Sequence, residues 1–516
     1  MALNAAIVAG AFVVSRVLGL LREIIIAAQF GTSDTYDAYV AAFRIPDLLF
    51  LVVMGGAFGS AFIPVFGGYL ARGNAERAWR LANGVLTYTV VILVVVAQLV
   101  FLFAGPLIGR VIAPELPPES QELAVNLTRL LLLSPLLLGL GAAGKGMLEA
   151  QDAFTLPAIA PILYNLGIIF GALALLPVFG AYGLAVGVIG GAACHAAIQF
   201  ASLLRRGFRF RLSLSRNTEG LGEVAWLMAP RVIGLAAFQV NLIVITNFAS
   251  RLGEGRISAL NYAHQFFMLP HGVLAMSLST VIFPLMARQY QLGQLDEMKG
   301  TLNRALGPLI FLTLPAAVGL FAFRESIVQV IFQFGSFDAE STALVAEALG
   351  YFALGLLSLA VIEAITRTFY AMHDTLTPVV TAVLAIGANV LLCWLLAPPL
   401  GHGGLALSIA ITTTIRMLVL LAILSRRTAG FEGRLLPPLL RMALAAAMLA
   451  AVSLWLAEPV QILTDPTEGR TVWTYLLFVL SLTGAGATYL FAAYLLGIPE
   501  LRKLIQTVRG RLARAG

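Results

Sequence analysis

Arginines set inside apolar runs are the residues of this sequence best placed to do chemistry. Arg16 and Arg22 interrupt the first long apolar run, and Asp37, Arg44 and Asp47 fall in the second. A guanidinium at the centre of a membrane helix costs about 2.5–3.5 kcal/mol on insertion scales, so its presence argues for a ligand or a dedicated partner. Arginine offers a planar fork that meets phosphate oxygens two at a time. The chemistry these residues suit is therefore recognition of an anion. Asp37 and Asp47 can hold the arginines in place or pair with them when the ligand is absent. Arg44 and Asp47, three apart on one helical face, can equally well just neutralise each other. Arg16 has no carboxylate within four residues on its own helix.

Further candidates lie deeper in the chain. Ser15-Arg16-Val17-Leu18-Gly19-Leu20 recurs as Pro230-Arg231-Val232-Ile233-Gly234-Leu235, which adds Arg231 to the anion-binding set. Glu363 and Arg367, four apart, suit an internal ion pair, and Lys145 and Glu149 repeat that spacing as a structural or gate pair. Arg416 is deep in another apolar run, and His373-Asp374 falls at a turn. A catalytic constellation is not apparent. The five histidines are scattered without metal-ligand spacing, and there is no GxxxxGK[ST] phosphate loop. We therefore expect a non-enzyme without metal or other cofactor. Cys194 and Cys393 both fall in predicted helices, so no disulfide framework is available.

The elements that position these groups must cross a membrane. The 516 residues are 59% hydrophobic and 11% charged, with mean hydropathy +0.92, where soluble domains carry about 25% charged residues. Runs long enough for a hydrocarbon core about 30 Å thick fall at 3–30, 36–70, 83–112, 123–149, 156–179, 183–204, 223–249, 257–287, 302–323, 342–370, 377–397, 403–424, 436–456 and 473–496. That predicts an all-α polytopic membrane protein of about fourteen helices. Numbered with the amino terminus inside, the inner segments hold 20 of the 33 lysines and arginines, the outer segments 5, and the helices 8. Such a bias orients membrane proteins, and it predicts a multi-pass protein with both termini cytoplasmic. The same topology accounts for the net charge of +7 without nucleic acid as a partner. The first run lacks a basic start and carries Arg16, Arg22 and Glu23, so it is expected to be retained as a helix rather than cleaved as a signal.

The recurrence of Arg16 at Arg231 extends further. Ala150, Leu156 and Pro157 match Ala371, Thr377 and Pro378 at a spacing of 221, and Gly183-Leu184-Ala185 matches Gly404-Leu405-Ala406 at the same spacing. This predicts an N-lobe of six helices over 1–205, a basic cytoplasmic linker at 206–222, and a C-lobe of six helices over 223–427. Two extra helices and a basic tail follow over 428–516. An even number of crossings per copy implies a pseudo-two-fold along the membrane normal, and transporters built this way bind substrate between the halves and alternate access. At 1.5 Å per residue, Arg16 is about 16 Å along its helix, Arg44 about 14 Å and Asp47 about 18 Å along theirs. All three reach similar depth.

Ser15-Arg16-Val17-Leu18-Gly19 with Arg22-Glu23, then Phe30-Gly31, Asp37-Ala38, Phe43-Arg44-Ile45-Pro46-Asp47-Leu48-Leu49, Gly56-Ala57-Phe58 and Ala61-Phe62-Ile63-Pro64, resembles the MurJ (MviN) lipid II flippases. Pro157 to Asn165 and Thr377-Pro378 share the likeness. The resemblance implies the multidrug/oligosaccharidyl-lipid/polysaccharide exporter fold, with a groove beside the two extra helices for a polyprenyl tail. It also implies translocation of lipid II, or a related polyprenyl-diphosphate glycolipid, across the bacterial cytoplasmic membrane. Cell-wall synthesis proteins are then possible partners beside the phospholipid bilayer. The family's cavity arginines match Arg16 and Arg22, and its acidic position matches Asp37. Phe50 and Gln265 stand where characterised relatives have arginines, and Ile245 and Cys393 stand where some members hold sodium through acidic residues, with Asn389 retained. These departures imply a rearranged headgroup site and speak against sodium coupling. The alternatives are a flippase for another polyprenyl-linked oligosaccharide, a cation-coupled drug exporter, which would need an acidic cavity, and a non-transporting scaffold.

Overall fold

Helices make up nearly all of the computed structural model, which describes residues 2–57, 62–215, 218–428, 430, 436–465, 471–503 and 506. Arg231 lies outside the residues whose side chains are described, and Gly59, Arg216, Arg434, Arg470 and the tail beyond Gln506 lie outside the description altogether. With no water in the hydrocarbon core to satisfy the backbone, apolar segments of this length close their hydrogen bonds internally. The first nine helices are α1 (Ala2–Phe30), α2 (Asp34–Ala57), α3 (Ile63–Ala71), α4 (Ala75–Pro106), α5 (Pro118–Leu131), α6 (Leu133–Glu149), α7 (Thr155–Phe170), α8 (Leu176–Phe179) and α9 (Ala181–Arg205). The remainder are α10 (Leu221–Ala249), α11 (Arg256–Pro270), α12 (Ser277–Gln291), α13 (Leu295–Ala322), α14 (Arg324–Phe332), α15 (Ala339–Ala353), α16 (Leu356–Ala371), α17 (Leu376–Arg427), α18 (Leu436–Leu463) and α19 (Val472–Leu495). Polar caps mark several starts. Asn74 accepts from the Arg77 amide, Asp338 from that of Ser341, and Thr471 and Thr474 form a reciprocal capping box.

Among the described residues nine spans are long and apolar enough to cross a membrane, ten if the pair α15 and α16, bent by 48°, counts as one. The other predicted crossings fall on α1, α2 and α10, and α17, counted once among the nine, covers two of them as arms broken at Gly401 in its 52 residues.

Two compact units divide the chain, residues 1–258 with 334–337, and residues 259–333 with 338–516. In the first, α7 and α9 pack backbone to backbone. A Cβ on Gly187 would lie 2.6 Å from the Gly171 Cα, and Gly167 and Gly191 oppose each other likewise. Small residues every fourth position permit this approach in lipid, where apolar burial gives helices no reason to associate. At one end of the unit Phe62, Phe66, Leu81, Leu86, Met147 and Phe208 form a buried cluster. The second unit has one core of α12, α13, α16 and the last turns of α17, and another in which α18 and α19 pack on α13. There the Tyr489 hydroxyl donates to the Phe311 carbonyl at 3.0 Å.

Backbone geometry repeats at the spacing found in the sequence. Gly180 (φ 57°, ψ −146°) and Gly401 (φ 55°, ψ −140°), 221 residues apart, make the same break between consecutive helices. Asp152 (φ 57°) and His373 (φ 59°) are also 221 apart, and they are the only non-glycine residues with positive φ among those described. Each such residue strains an L side chain, so a shared pair points to a common ancestor geometry. Gly183 lies against the backbone at Leu175 and Gly404 against Leu396, again one repeat apart.

Candidate substrate-binding residues

Arg16, Arg22, Asp37, Arg44 and Asp47 all belong to the first unit, where they have different surroundings. Arg16 is exposed on α1, with its guanidinium 5.2 Å from the Phe12 ring centroid. It takes part in no ion pair among the described residues. Arg22, six residues on, faces another way and is held. Its Nε donates to Glu23 at 3.0 Å, its second amine completes the ion pair with the same carboxylate, and its Nη1 donates to Asn165 Oδ1 at 3.1 Å. Asn165 in turn donates to the carbonyls of Ser15 (3.2 Å) and Pro161 (3.1 Å). One buried amide thus ties α1 to α7 and orients Arg22. Glu23 is itself buried, and its second oxygen has no hydrogen-bond partner among the described residues.

Asp37 is fully engaged elsewhere. Its Oδ2 accepts the Gly255 amide at 2.9 Å, and its Oδ1 accepts both the Ser258 amide at 2.6 Å and the Ser258 hydroxyl. Gly255 adopts φ 76°, which orients its amide toward the carboxylate. The carboxylate therefore satisfies donors left open at the start of α11.

Arg44 is buried and donates from Nε to the Thr246 hydroxyl on α10 at 2.8 Å. No ion pair forms between Arg44 and Asp47 despite their spacing. Asp47 instead lines a cavity of about 400 Å³ together with Phe50, Ser134, Lys145, Tyr164 and His195. Lys145 lies 3.8 Å from Glu149 and also faces this space. The cavity thus holds a carboxylate, an ammonium, an imidazole and two hydroxyls, with the Phe50 ring among them. Composition and spacing did not single out His195 or Tyr164. Gly141 makes room for the His195 ring, since a Cβ there would meet the imidazole, and Gln199 one turn on lies 3.4 Å from its Nδ1.

In the second unit Arg367 Nε and Nη2 donate to Glu363 at 3.1 and 2.9 Å. Arg416 donates to the Pro378 carbonyl at 3.2 Å, and its Nε has no hydrogen-bond partner among the described residues. Gln265 is half-buried. Asn389 accepts the Ser408 hydroxyl at 2.9 Å, and that hydroxyl lies 3.2 Å from Cys393 Sγ. His373 and Asp374 do not pair with each other; Asp374 bonds the amide and hydroxyl of Thr377 and forms an ion pair with Arg427, joining the two ends of α17. Among the described residues no three histidine, cysteine or acidic side chains converge as metal ligands.

A family model described as Lipid II flippase MurJ matches residues 26–465. A probable lipid II flippase MurJ of Rhizobium meliloti is 33% identical over 472 residues, which cover 88% of this chain and 87% of the relative. The lipid II flippase MurJ of Burkholderia cenocepacia is 31% identical over 81% of this chain and 83% of its own. A solved lipid II flippase MurJ, in an inward closed conformation, matches with a TM-score of 0.76 at 24% identity, covering 96% of this chain and 99% of that one. An inward-facing multidrug resistance MATE family transporter matches with a TM-score of 0.69 at 14% identity, covering 80% and 94%. The fold is the one these transporters share.

Proposed function

The chain belongs to the MurJ family of lipid II flippases, and on that premise we propose that it carries lipid II, the undecaprenyl-diphosphate-linked peptidoglycan precursor, to the outer leaflet of the bacterial cytoplasmic membrane. Alternating access of a cationic site is the mechanism we infer, with both termini cytoplasmic, as the lysine and arginine bias favours. One observation carries the assignment of the site. Arg16 is exposed in mid-helix without an ion pair among the described residues, while Arg22, on another face of the same helix, is held by Glu23 and Asn165. An exposed guanidinium that its own helix leaves uncommitted suits an anionic diphosphate, whose oxygens its planar fork can meet two at a time. An inward-negative potential assists release of the anion outside and return of the cationic site, at about 2.3 kcal/mol per unit charge per 100 mV.

The test is complementation of a strain depleted of its own flippase. Arg16→Ala abolishes growth, and Arg16→Lys, which keeps the charge but not the fork, restores it in part. Full growth of Arg16→Ala at normal expression removes Arg16 from the site. A second reading, transport of a different polyprenyl-diphosphate glycan, is favoured by Phe50, which puts a ring on the cavity wall where the resemblance leads one to expect an arginine. Cleavage of lipid II by an enzyme added outside the cells separates the two readings.

A further inference from the structure

The linker between α9 and α10 is pinned along α4 by its backbone. Asn83 donates to the Arg209 carbonyl at 3.2 Å and accepts the Arg211 amide at 2.8 Å. Thr87 accepts the Ser213 amide at 3.2 Å, and the Tyr88 hydroxyl donates to the Leu214 carbonyl at 2.8 Å. From Asn83 to Thr87 a helix rises about 6 Å, and two residues of extended chain, 211 to 213, rise about 6.6 Å. The match shows that the linker runs extended beside α4 and in the same direction. It then returns. Thr218 lies against Gly84, its methyl 3.5 Å from where a side chain there would begin, and Glu219 pairs with Arg77 at 3.1 Å. The described parts of the linker are therefore the two sides of a hairpin: residues 209–214 descend along α4 to Tyr88, and Thr218 and Glu219 lie back toward the polar end of that helix.

Extended chain alternates its side chains. Phe210, Leu212 and Leu214 fall on one face and are 53%, 71% and 55% exposed, whereas Phe208, at the start of the hairpin, is buried against Trp79 and Phe200. Three large apolar groups in a row are thus directed away from the protein by a backbone that is fixed in place. Arg205 and Arg206 at the end of α9, with Arg209 and Arg211 on the hairpin, are all exposed around them. The descent from Asn83 to Tyr88 is about 7.5 Å, within the roughly 5–10 Å by which interfacial segments enter the headgroup and acyl boundary. α4 is itself one of the helices long and apolar enough to cross a membrane.

We propose that this hairpin is a binding site for anionic phospholipid, with Phe210, Leu212 and Leu214 seated below the headgroups and the four arginines on the headgroup phosphates. Long arginine stems let the charges on the opposite strand face reach the same surface. Basic clusters beside membrane helices read the anionic inner leaflet in this way. The biological side rests on the proposed inner location of the linker. The docking itself does not, because both leaflets of a nanodisc share one composition.

The full chain with Cys194→Ala, labelled with a nitroxide at Leu212→Cys, is placed in nanodiscs of phosphatidylcholine with or without phosphatidylglycerol. Cys393 is buried and escapes the label. Collision with oxygen, which concentrates in lipid, is compared with collision with an aqueous nickel chelate. With phosphatidylglycerol, a label at 212 meets oxygen preferentially while one at Ser215→Cys, on the other face, meets nickel. Each arginine removed from the cluster lowers the docked-to-free ratio about fivefold, so Arg209→Gln with Arg211→Gln lowers it about 25-fold. Equal nickel access at 212 and 215 in phosphatidylglycerol nanodiscs overturns the proposal. So does protection of position 212 that rises with protein concentration in detergent, the mark of a second copy of this chain, or protection that needs added cytoplasmic protein. A transport defect bears on the proposed function alone and leaves this depth reading intact.

Discussion

Replacing Asp37 by alanine separates a residue that holds the fold from one that touches substrate. The resemblance places Asp37 with the cavity arginines, whereas the structure gives its two oxygens three donors, the amides of Gly255 and Ser258 and the Ser258 hydroxyl. Hydrogen bonds to a charged group contribute about 1.5–3 kcal/mol each, and a buried donor left unmade costs about 1–3 kcal/mol. The three share one carboxylate and do not add fully. A loss of about 4 kcal/mol is expected, roughly a thousandfold in the local opening equilibrium. The segment released contains Arg251 and Arg256, so the opening is read as the rate of trypsin cleavage there, which tracks the open population when reclosing outpaces cleavage. Asp37→Ala should be cut roughly a thousandfold faster than wild type. Asp37→Asn, which keeps one accepting oxygen, should fall between. If Asp37→Ala is cut at the wild-type rate yet fails to complement, the structural argument is refuted and Asp37 acts on substrate.

Other substitutions probe other parts of the fold and site. Gly187→Ala forces α7 and α9 apart and should destabilise the protein by about 1–3 kcal/mol in thermal unfolding. Gly190→Ala, with nothing within 4 Å of its Cβ, is the control and should be neutral. Lys145→Gln should reduce transport more than Glu149→Gln, because Lys145 faces the cavity with Asp47 whereas Glu149 meets it only through the lysine; equal effects in complementation would reduce Lys145 to a partner of Glu149. Burial pushes the Asp374 carboxyl up, but bonds from Thr377 and the Arg427 guanidinium more than offset this and leave it below its ordinary value. A depressed carboxylate stabilises fully above the ordinary pKa of about 3.9 and loses that stabilisation as pH falls through the lower folded value. The stability gap between wild type and Arg427→Gln should therefore be constant at neutral pH and narrow in acid.

Local rules reached far in this chain. Hydropathy placed the helices, and a spacing of four placed Glu363 beside Arg367 and Lys145 beside Glu149, because helix neighbours follow from residue number alone. The repeat of 221 residues, read from a handful of side chains, recurs in backbone angles at Gly180 and Gly401. Partners distant in sequence were not legible. Arg22 meets Asn165 at a separation of 143 residues, Arg44 meets Thr246 at 202, and Asp37 meets Ser258 at 221. Periodicity says which face of a helix is polar; it carries no record of which other helix that face meets. His195 entered the cavity unannounced for that reason, in the space left by the missing side chain at Gly141.

The matched breaks at Gly180 and Gly401 also bear on how the protein is made. Each is an elbow closed by contacts a few residues away, Gly183 on Leu175 and Gly404 on Leu396. Because its closing contact is so short in sequence, such a helical hairpin needs nothing from the other half of the polypeptide to take its bend. The repeat thus supplies the chain with the same self-contained bend twice, whereas Arg44 and Asp37 on α2 find their partners only at Thr246 and Ser258.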